Sequence, residues 1–208
     1  MPTDVRRHAP ATHRNRVPLL EVLGRLVPPR AEILEVACGT GEHAVFFAAH
    51  QPGWVWHPTD LDPEARASVA AWTAFTGQAN VRPPQALDAR SEVWPVTAVD
   101  AVFSSNMVHI SPWEATLGLL RGAGRVLKPG GLLLLYGPYA MNGAHTAPSN
   151  AAFDESLRRR DPRWGVRHLE EVVAEASRQG LVHRQTVSMP ANNQVVVFAR
   201  AAGDPVVR

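Results

Sequence analysis

The sequence predicts a single α/β domain built on a mostly parallel, seven-stranded sheet with helices on both faces. Three observations carry that expectation. Strand-like and helix-like segments alternate along most of the chain, as βαβ units require. A glycine turn, Cys38-Gly39-Thr40-Gly41, follows the first strand-like segment and opens a helix. The run Leu132–Tyr136 is apolar throughout instead of alternating, which suits a strand buried on both faces.

The elements follow in order. Residues 13–27 read as a helix with Val17, Leu20, Leu23 and Val27 on one face. Pro18 suits a first turn, so the helix is expected to start there, and Pro28-Pro29 ends it. Residues 32–37 form the first strand, and the helix after the glycine turn runs to His50. Residues 54–59 are a second strand, weakened at Pro58, and 63–76 a helix from Pro63 to a stop at Gly77. Residues 81–87 hold Pro83-Pro84 and make a poor strand, but the alternation calls for one. Residues 98–105 are a strand and 112–127 a helix; Lys128-Pro129-Gly130-Gly131 turns into the strand that ends at Gly137. Residues 139–167 break the rhythm. They are expected to form a substrate-side insertion with one helix at about 150–160, because a long irregular stretch inside a compact domain is usually functional or disordered. Tyr139, Phe153 and Trp164 favour order. A helix at 168–179 and strands at 181–188 and 194–200 close the chain, joined by a hairpin turn at Met189–Asn193.

A chain of 208 residues allows one full-sized domain, and 45% apolar content is that of a globular protein. One cysteine excludes an internal disulfide framework and a Cys-rich zinc site. No apolar run is long enough to span a bilayer, and MPTDVRRHAPATHRNR has no apolar stretch after its basic residues, so a cytoplasmic protein with no membrane contact is expected. The net charge of +2 is local: residues 1–30 carry six arginines against Asp4 and Glu21. Without a concentrated basic face beyond that arm, nucleic acid is an unfavoured partner; a small-molecule substrate is expected, and a homodimer stays open. The arm is either a solvated leader or a lid carrying Arg and His to an anionic ligand.

The string E-V-A-C-G-T-G-E-H-A lets the backbone turn sharply at Gly39 and Gly41 onto a helix N-terminus. It formally fits a dinucleotide fingerprint, G-x-G-x-x-G/A. Asp60 ends the second strand, where a carboxylate can accept from ribose hydroxyls, with Asp62 as a substitute on the same turn. Glu35 tips the balance, because its charge would repel a pyrophosphate yet suit a cationic amino-acid head.

The string E-x-A-x-G-x-G resembles the first motif of class I S-adenosylmethionine-dependent methyltransferases, with Ala37 in place of a glycine, and L-K-P-G-G-L-L-L-L and the closing hairpin resemble that superfamily too. The strings HAPATHRN, NMVHISPWEAT, GPY, GAHTAPSNAAFD, RDPRWGVR and MPANN are similar to the DUF938/UPF0585 family of methyltransferase-like proteins, over roughly residues 6–200. The resemblance implies a Rossmann-like class I methyltransferase fold and S-adenosylmethionine as cofactor, and no particular substrate. It implies that Glu35, Ala37, Gly39 and Gly41 line the methionine part. Asp60 would hold the ribose, Leu61 would pack on the adenine, and Asp88 would meet its amino group, with a helix N-cap as the rival role. Asn106 and Met107 would close the pocket.

His109, after the fourth strand, is the candidate base, and Tyr139 can line the pocket beside it. Donors for a polar or anionic acceptor are His13, Arg14, Asn15, His145, Asn150, Asp154, Arg163, Trp164 and Asn192, though Asp154, Asp161 and Arg163 could merely staple the insertion together. His109, His145 and His168 lack metal-ligand spacing, so no metal is expected. The function so read is methyl transfer to a small polar or anionic molecule. The competing readings are a non-catalytic cofactor-binding or partner protein that keeps the fold, and a nicotinamide-dependent oxidoreductase.

Overall fold

The computed structural model describes residues 4–202. In chain order its elements are α1 (Pro10–Leu26), β1 (Ala31–Val36), α2 (Glu42–His50), β2 (Trp54–Asp60), α3 (Pro63–Thr76), β3 (Gln85–Ala86), β4 (Val99–Ser105), α4 (Trp113–Val126), β5 (Leu127–Gly137), β6 (Ala140–Met141), β7 (Ala144–His145), α5 (Pro148–Arg160), α6 (Leu169–Arg178), β8 (Leu181–Met189) and β9 (Asn193–Arg200). Seven strands form one sheet in the order β3-β2-β1-β4-β5-β9-β8. The first five are parallel, and β9 runs antiparallel to both β5 and β8. The chain reverses its winding between β1 and β4, and a crevice opens beyond the carboxyl ends of strands at such a switch point.

β5 shows why the sheet needs two apolar layers. Leu133 and Leu135 face a core with Leu119, Leu120 and Val172 from α4 and α6. Leu134 and Tyr136 face the other, with Leu19 and Leu23 of α1, Phe47 of α2, and Trp54 and Trp56 of β2. The continuous apolar run is therefore buried on both sides, as its pattern predicts. Each such large side chain is worth about 1.5–3 kcal/mol of burial. On the first face α4 meets the Trp94 indole at Gly122, where a Cβ would lie 1.9 Å from the ring.

Three local expectations need correction. α1 starts at Pro10, eight positions before Pro18, and Pro18 sits inside it. Its buried face is Thr12, Asn15, Leu19, Val22 and Leu23, whereas Val17 is 50% exposed. The periodic reading missed the first two turns because two of their buried positions are polar. The expected strand at 81–87 shrinks to Gln85–Ala86, with an isolated bridge from Val81 to Trp56. Pro83 and Pro84 have no N–H to donate to the ladder. Lys128–Gly131 is the irregular start of β5, with a register shift between Val99 and Ala101 and an ion pair from Lys128 to Asp100. Residues 139–167 are ordered as the β6–β7 hairpin, α5 and the segment leading to α6.

Candidate functional site

The ends of β1, β2 and β4 and the start of α4 enclose a cavity of about 420 Å³, lined by Val36, Ala37, Asp60, Leu61, Asp88 and Met107 among others. Ala37, just before the glycine turn, lines this cavity, whereas Gly39 and Gly41 do not. Ala37, Gly39 and Gly41 all have positive φ, at 60°, 58° and 84°. At Gly41 a Cβ would stand 2.7 Å from the Val69 Cα, so the turn can lie against α3 only without a side chain there.

Asp60 ties two turns together. One carboxylate oxygen accepts the Gly39 N–H and the other the Asp62 N–H, both at 2.9 Å. Each oxygen keeps a free lone pair on the cavity side for a hydroxyl. Asp62 is no substitute, because it caps α3 through the Glu64 N–H and pairs with Arg7 at 2.8 Å. Leu61 is 61% exposed at the cavity rim, an apolar platform with no protein cover. Asp88 lines the cavity but is gripped by the Arg90 guanidinium, which holds its carboxyl below the usual range. It caps a turn through the Arg90 N–H, not a helix. Arg163 lines this cavity and is paired with Asp161 at 2.7 Å.

Glu35 lies behind the turn. It is 1% exposed, accepts the Trp56 Nε1–H at 2.7 Å, and burial pushes its carboxyl up to about 8. It lines neither cavity, and burial keeps its carboxyl neutral at pH 7, so the expected charge at this strand end is not expressed in the folded chain.

A second cavity, of about 660 Å³, lies beyond β4 and β5 and is covered by α1, α5 and the β8–β9 turn. Arg14, Asn15, Asn106, Asn150, Asn192 and Tyr136 are among its lining residues. Asn106 has φ of 60°, so the chain turns sharply after β4. That turn divides the cavities: Asn106 faces the second and Met107 the first. Asn15 is buried because its Oδ1 accepts the His43 Nε2–H at 2.8 Å; burial keeps His43 neutral, pushed down to about 3. Asn150 donates to Thr146 and to the Asn192 carbonyl, fixing α5 to the β8–β9 turn.

Several expected residues are not brought to either cavity. His109 is fully buried, with Nδ1 accepting the Arg167 N–H at 3.2 Å and its ring against Tyr139 at 4.8 Å. Burial pushes it down to about 3. A Cβ at Gly137 would come within 2.5 Å of its Nε2. His109 is thus a packed joint between the β4 turn and the insertion, and the assignment as an accessible base is corrected. Tyr139, also fully buried, does not line the pocket. His13 sits beside Glu42, outside both cavities. Asp154 binds Arg158 and the Val166 N–H, with His145 at 3.7 Å, so it staples the insertion. Trp164 packs against the Arg160 guanidinium at 5.0 Å. Ile110, Ser149, Phe153 and Asn193 line the second cavity without having been expected there, and Tyr136, packed in the core, also reaches its wall. All four lie in the strings NMVHISPWEAT, GAHTAPSNAAFD and MPANN, which mark these segments without assigning the individual residues.

The basic arm is consumed by the protein itself. Arg6 pairs with Asp4 and lies 3.8 Å from the Phe75 ring centroid, Arg7 reaches Asp62 and Glu64, and the Trp72 indole donates to the Arg7 carbonyl. Arg14 is the arginine of this region that lines the second cavity.

The strand order, the glycine turn with its strand-end acid and the two cavities define a class I methyltransferase fold. The chain belongs to the family described as protein of unknown function (DUF938), whose profile matches residues 6–200. Solved structures of similar fold include the S-adenosylmethionine-dependent methyltransferase SibL in its apo form (22% identity, TM-score 0.76, 92% of this chain and 56% of that one). An O-methyltransferase family 2 protein from Planctomyces limnophilus in complex with apigenin is also similar (19%, 0.78, 92% and 58%). So is the calicheamicin-biosynthesis methyltransferase CalO1 in its SAH-bound form (18%, 0.73, 89% and 54%). The chain spans little more than half the length of these proteins, and the likeness is one of fold.

Proposed function

We propose that the protein is an S-adenosylmethionine-dependent methyltransferase acting on a small acceptor that arrives as an anion. The observation that carries this reading is the pair of cavities on either side of the Asn106–Met107 turn. One offers a ribose-binding carboxylate, Asp60, beside the apolar platform of Leu61; the other offers a cation, Arg14, among asparagines. The residues lining the first fit the cofactor: Asp60 for the ribose diol, and Leu61 and Met107 for the adenine. When bound, the cofactor supplies an electrophilic sulfonium methyl.

The acceptor cavity sets the chemistry of the nucleophile. Arg14 and Tyr136 are the titratable side chains among its lining residues, and burial pushes Tyr136 up, so it is a poor base. With no carboxylate or imidazole on that wall, catalysis rests on alignment. The acceptor must bring its own anion, such as a carboxylate, an acidic phenol or a thiolate. Arg14 orients it, and Asn15, Asn150 and Asn192 hold its polar remainder. The cavity volume admits a compound of drug-like size at most.

The test is transfer of labelled methyl from S-adenosylmethionine to a panel of small carboxylates, phenols and thiols. Arg14→Gln is expected to raise KM for an accepted anion by about 10-fold or more, with cofactor affinity unchanged. An acceptor turned over equally well by Arg14→Gln would refute the role of Arg14. Cofactor binding without turnover of any acceptor would favour the non-catalytic reading.

A further inference from the structure

We propose that His8 Nδ1, His13 Nε2 and Glu42 Oε1 form a binding site for a divalent metal ion of the zinc class, which clips the N-terminal segment to the glycine turn. The two imidazole nitrogens lie 3.4 Å each from Glu42 Oε1, and all three atoms fall within 4.8 Å of one another. Ligand atoms placed about 2.0–2.1 Å from a tetrahedral ion stand about 3.3–3.4 Å apart, so small rotations of the imidazoles complete the site.

Glu42 supplies the independent observation. Its side chain is 3% exposed, and Oε1 has no hydrogen-bond partner among the described residues. The neighbouring imidazole nitrogens are near enough to pair but do not meet hydrogen-bonding geometry. Its other oxygen is fully used, accepting the Ala9 N–H at 2.8 Å and the Thr40 hydroxyl at 2.9 Å. The carboxylate is thus held in one orientation with a bare oxygen aimed at two imidazoles. A buried unpaired carboxylate oxygen is costly, and a cation removes that cost.

Donor type and access agree with the ion class. Two imidazoles and one carboxylate suit zinc and its cobalt or nickel stand-ins better than calcium or magnesium, which favour oxygen alone. His13 and Glu42 also line a cavity of about 220 Å³ that gives the ion a route in and leaves a fourth position for water. Arg16 lines the same cavity, with its guanidinium over the Phe46 ring at 4.6 Å.

The ligands come from three places: the segment before α1, the first turn of α1, and the first residue of α2 after Gly41. An ion there would fix α1, and with it Arg14 and Asn15, against the cofactor-side turn. The spacing is not a contiguous motif, which is why a sequence search for His-x-x-x-His passes over it. The proposal does not depend on the methyl-transfer reading.

The test uses metal-stripped, tag-free protein titrated with cobalt(II), followed by its visible absorption, and with zinc(II) by calorimetry. One ion per chain is expected, with the cobalt bands displaced by one equivalent of zinc. His8→Ala and His13→Ala change half-exposed side chains and should keep the parent's unfolding midpoint in the absence of metal. Each is expected to weaken binding at least 10-fold, while His145→Ala leaves it unchanged. Zinc should also raise the unfolding midpoint of the parent and not of either variant. Absence of saturable one-to-one binding, or parental affinity in either histidine variant, overturns the proposal.

Discussion

Replacing Glu35 with glutamine should make the protein more stable, and increasingly so as the pH rises. The side chain is 1% exposed, and burial moves its carboxyl from 4.5 to about 8. Above pH 4.5 the unfolded chain has released this proton, while the folded chain keeps it until about pH 8. A group whose folded pKa is raised stabilises least at high pH, so this carboxyl removes stability across that window. Each pH unit in which only the folded chain holds the proton costs about 1.4 kcal/mol. Between pH 6 and pH 9 that comes to about 3 kcal/mol. Glutamine carries no such proton, and its amide oxygen can still accept the Trp56 Nε1–H that Glu35 accepts at 2.7 Å. Urea unfolding of parent and variant at pH 6 and pH 9 gives the result directly, because all other groups titrate alike in both. The gap in favour of the variant should widen by about 3 kcal/mol, or about 6–12 °C in midpoint. A gap that stays constant, or a variant that is the less stable at pH 9, refutes the reasoning.

Other consequences follow from the same geometry. Asp60→Asn keeps one acceptor for the Gly39 or Asp62 N–H but loses the charge facing the cavity, and should weaken S-adenosylhomocysteine binding about 10- to 100-fold by calorimetry. Unchanged affinity would move the ribose site away from Asp60. His43 and His109 are both held down to about 3 by burial, so the unfolded chain takes up two protons near pH 6.5 that the folded chain refuses. Stability should be intact above pH 6.5 and fall by about 2 kcal/mol per histidine between pH 6.5 and 5, measured by denaturant unfolding; a flat profile there would contradict their burial.

The sheet was legible from the sequence because its signals are redundant. β5 reads as buried on both faces from composition alone, and the glycine turn marks the β1–α2 junction. Part of the first cavity's lining was legible for the same reason: Ala37, Asp60, Leu61, Asp88 and Met107 sit at strand ends that the alternation locates, whereas Glu35, Gly39, Gly41 and Asn106 do not line it. The second cavity was less so. Arg14, Asn15, Asn150 and Asn192 do converge, but from three distant segments whose approach depends on polar pairs such as Asn15–His43 and Asn150–Asn192, and Asn106, expected to close the cofactor pocket, lines this second cavity instead. Periodicity is blind to buried polar residues, which is also why α1 starts two turns earlier than the apolar pattern allows. His109 misled because its place after β4 matched an acceptor position, whereas Gly137 and Tyr139 leave the ring a closed slot.

The central claim is that the cavity between Asp60 and Met107 takes S-adenosylmethionine. Calorimetric titration of S-adenosylhomocysteine into the folded, tag-free protein tests it most directly. One saturable site per chain, weakened at least 10-fold in Asp60→Asn, is the predicted result. No saturable heat from protein that unfolds cooperatively would contradict it.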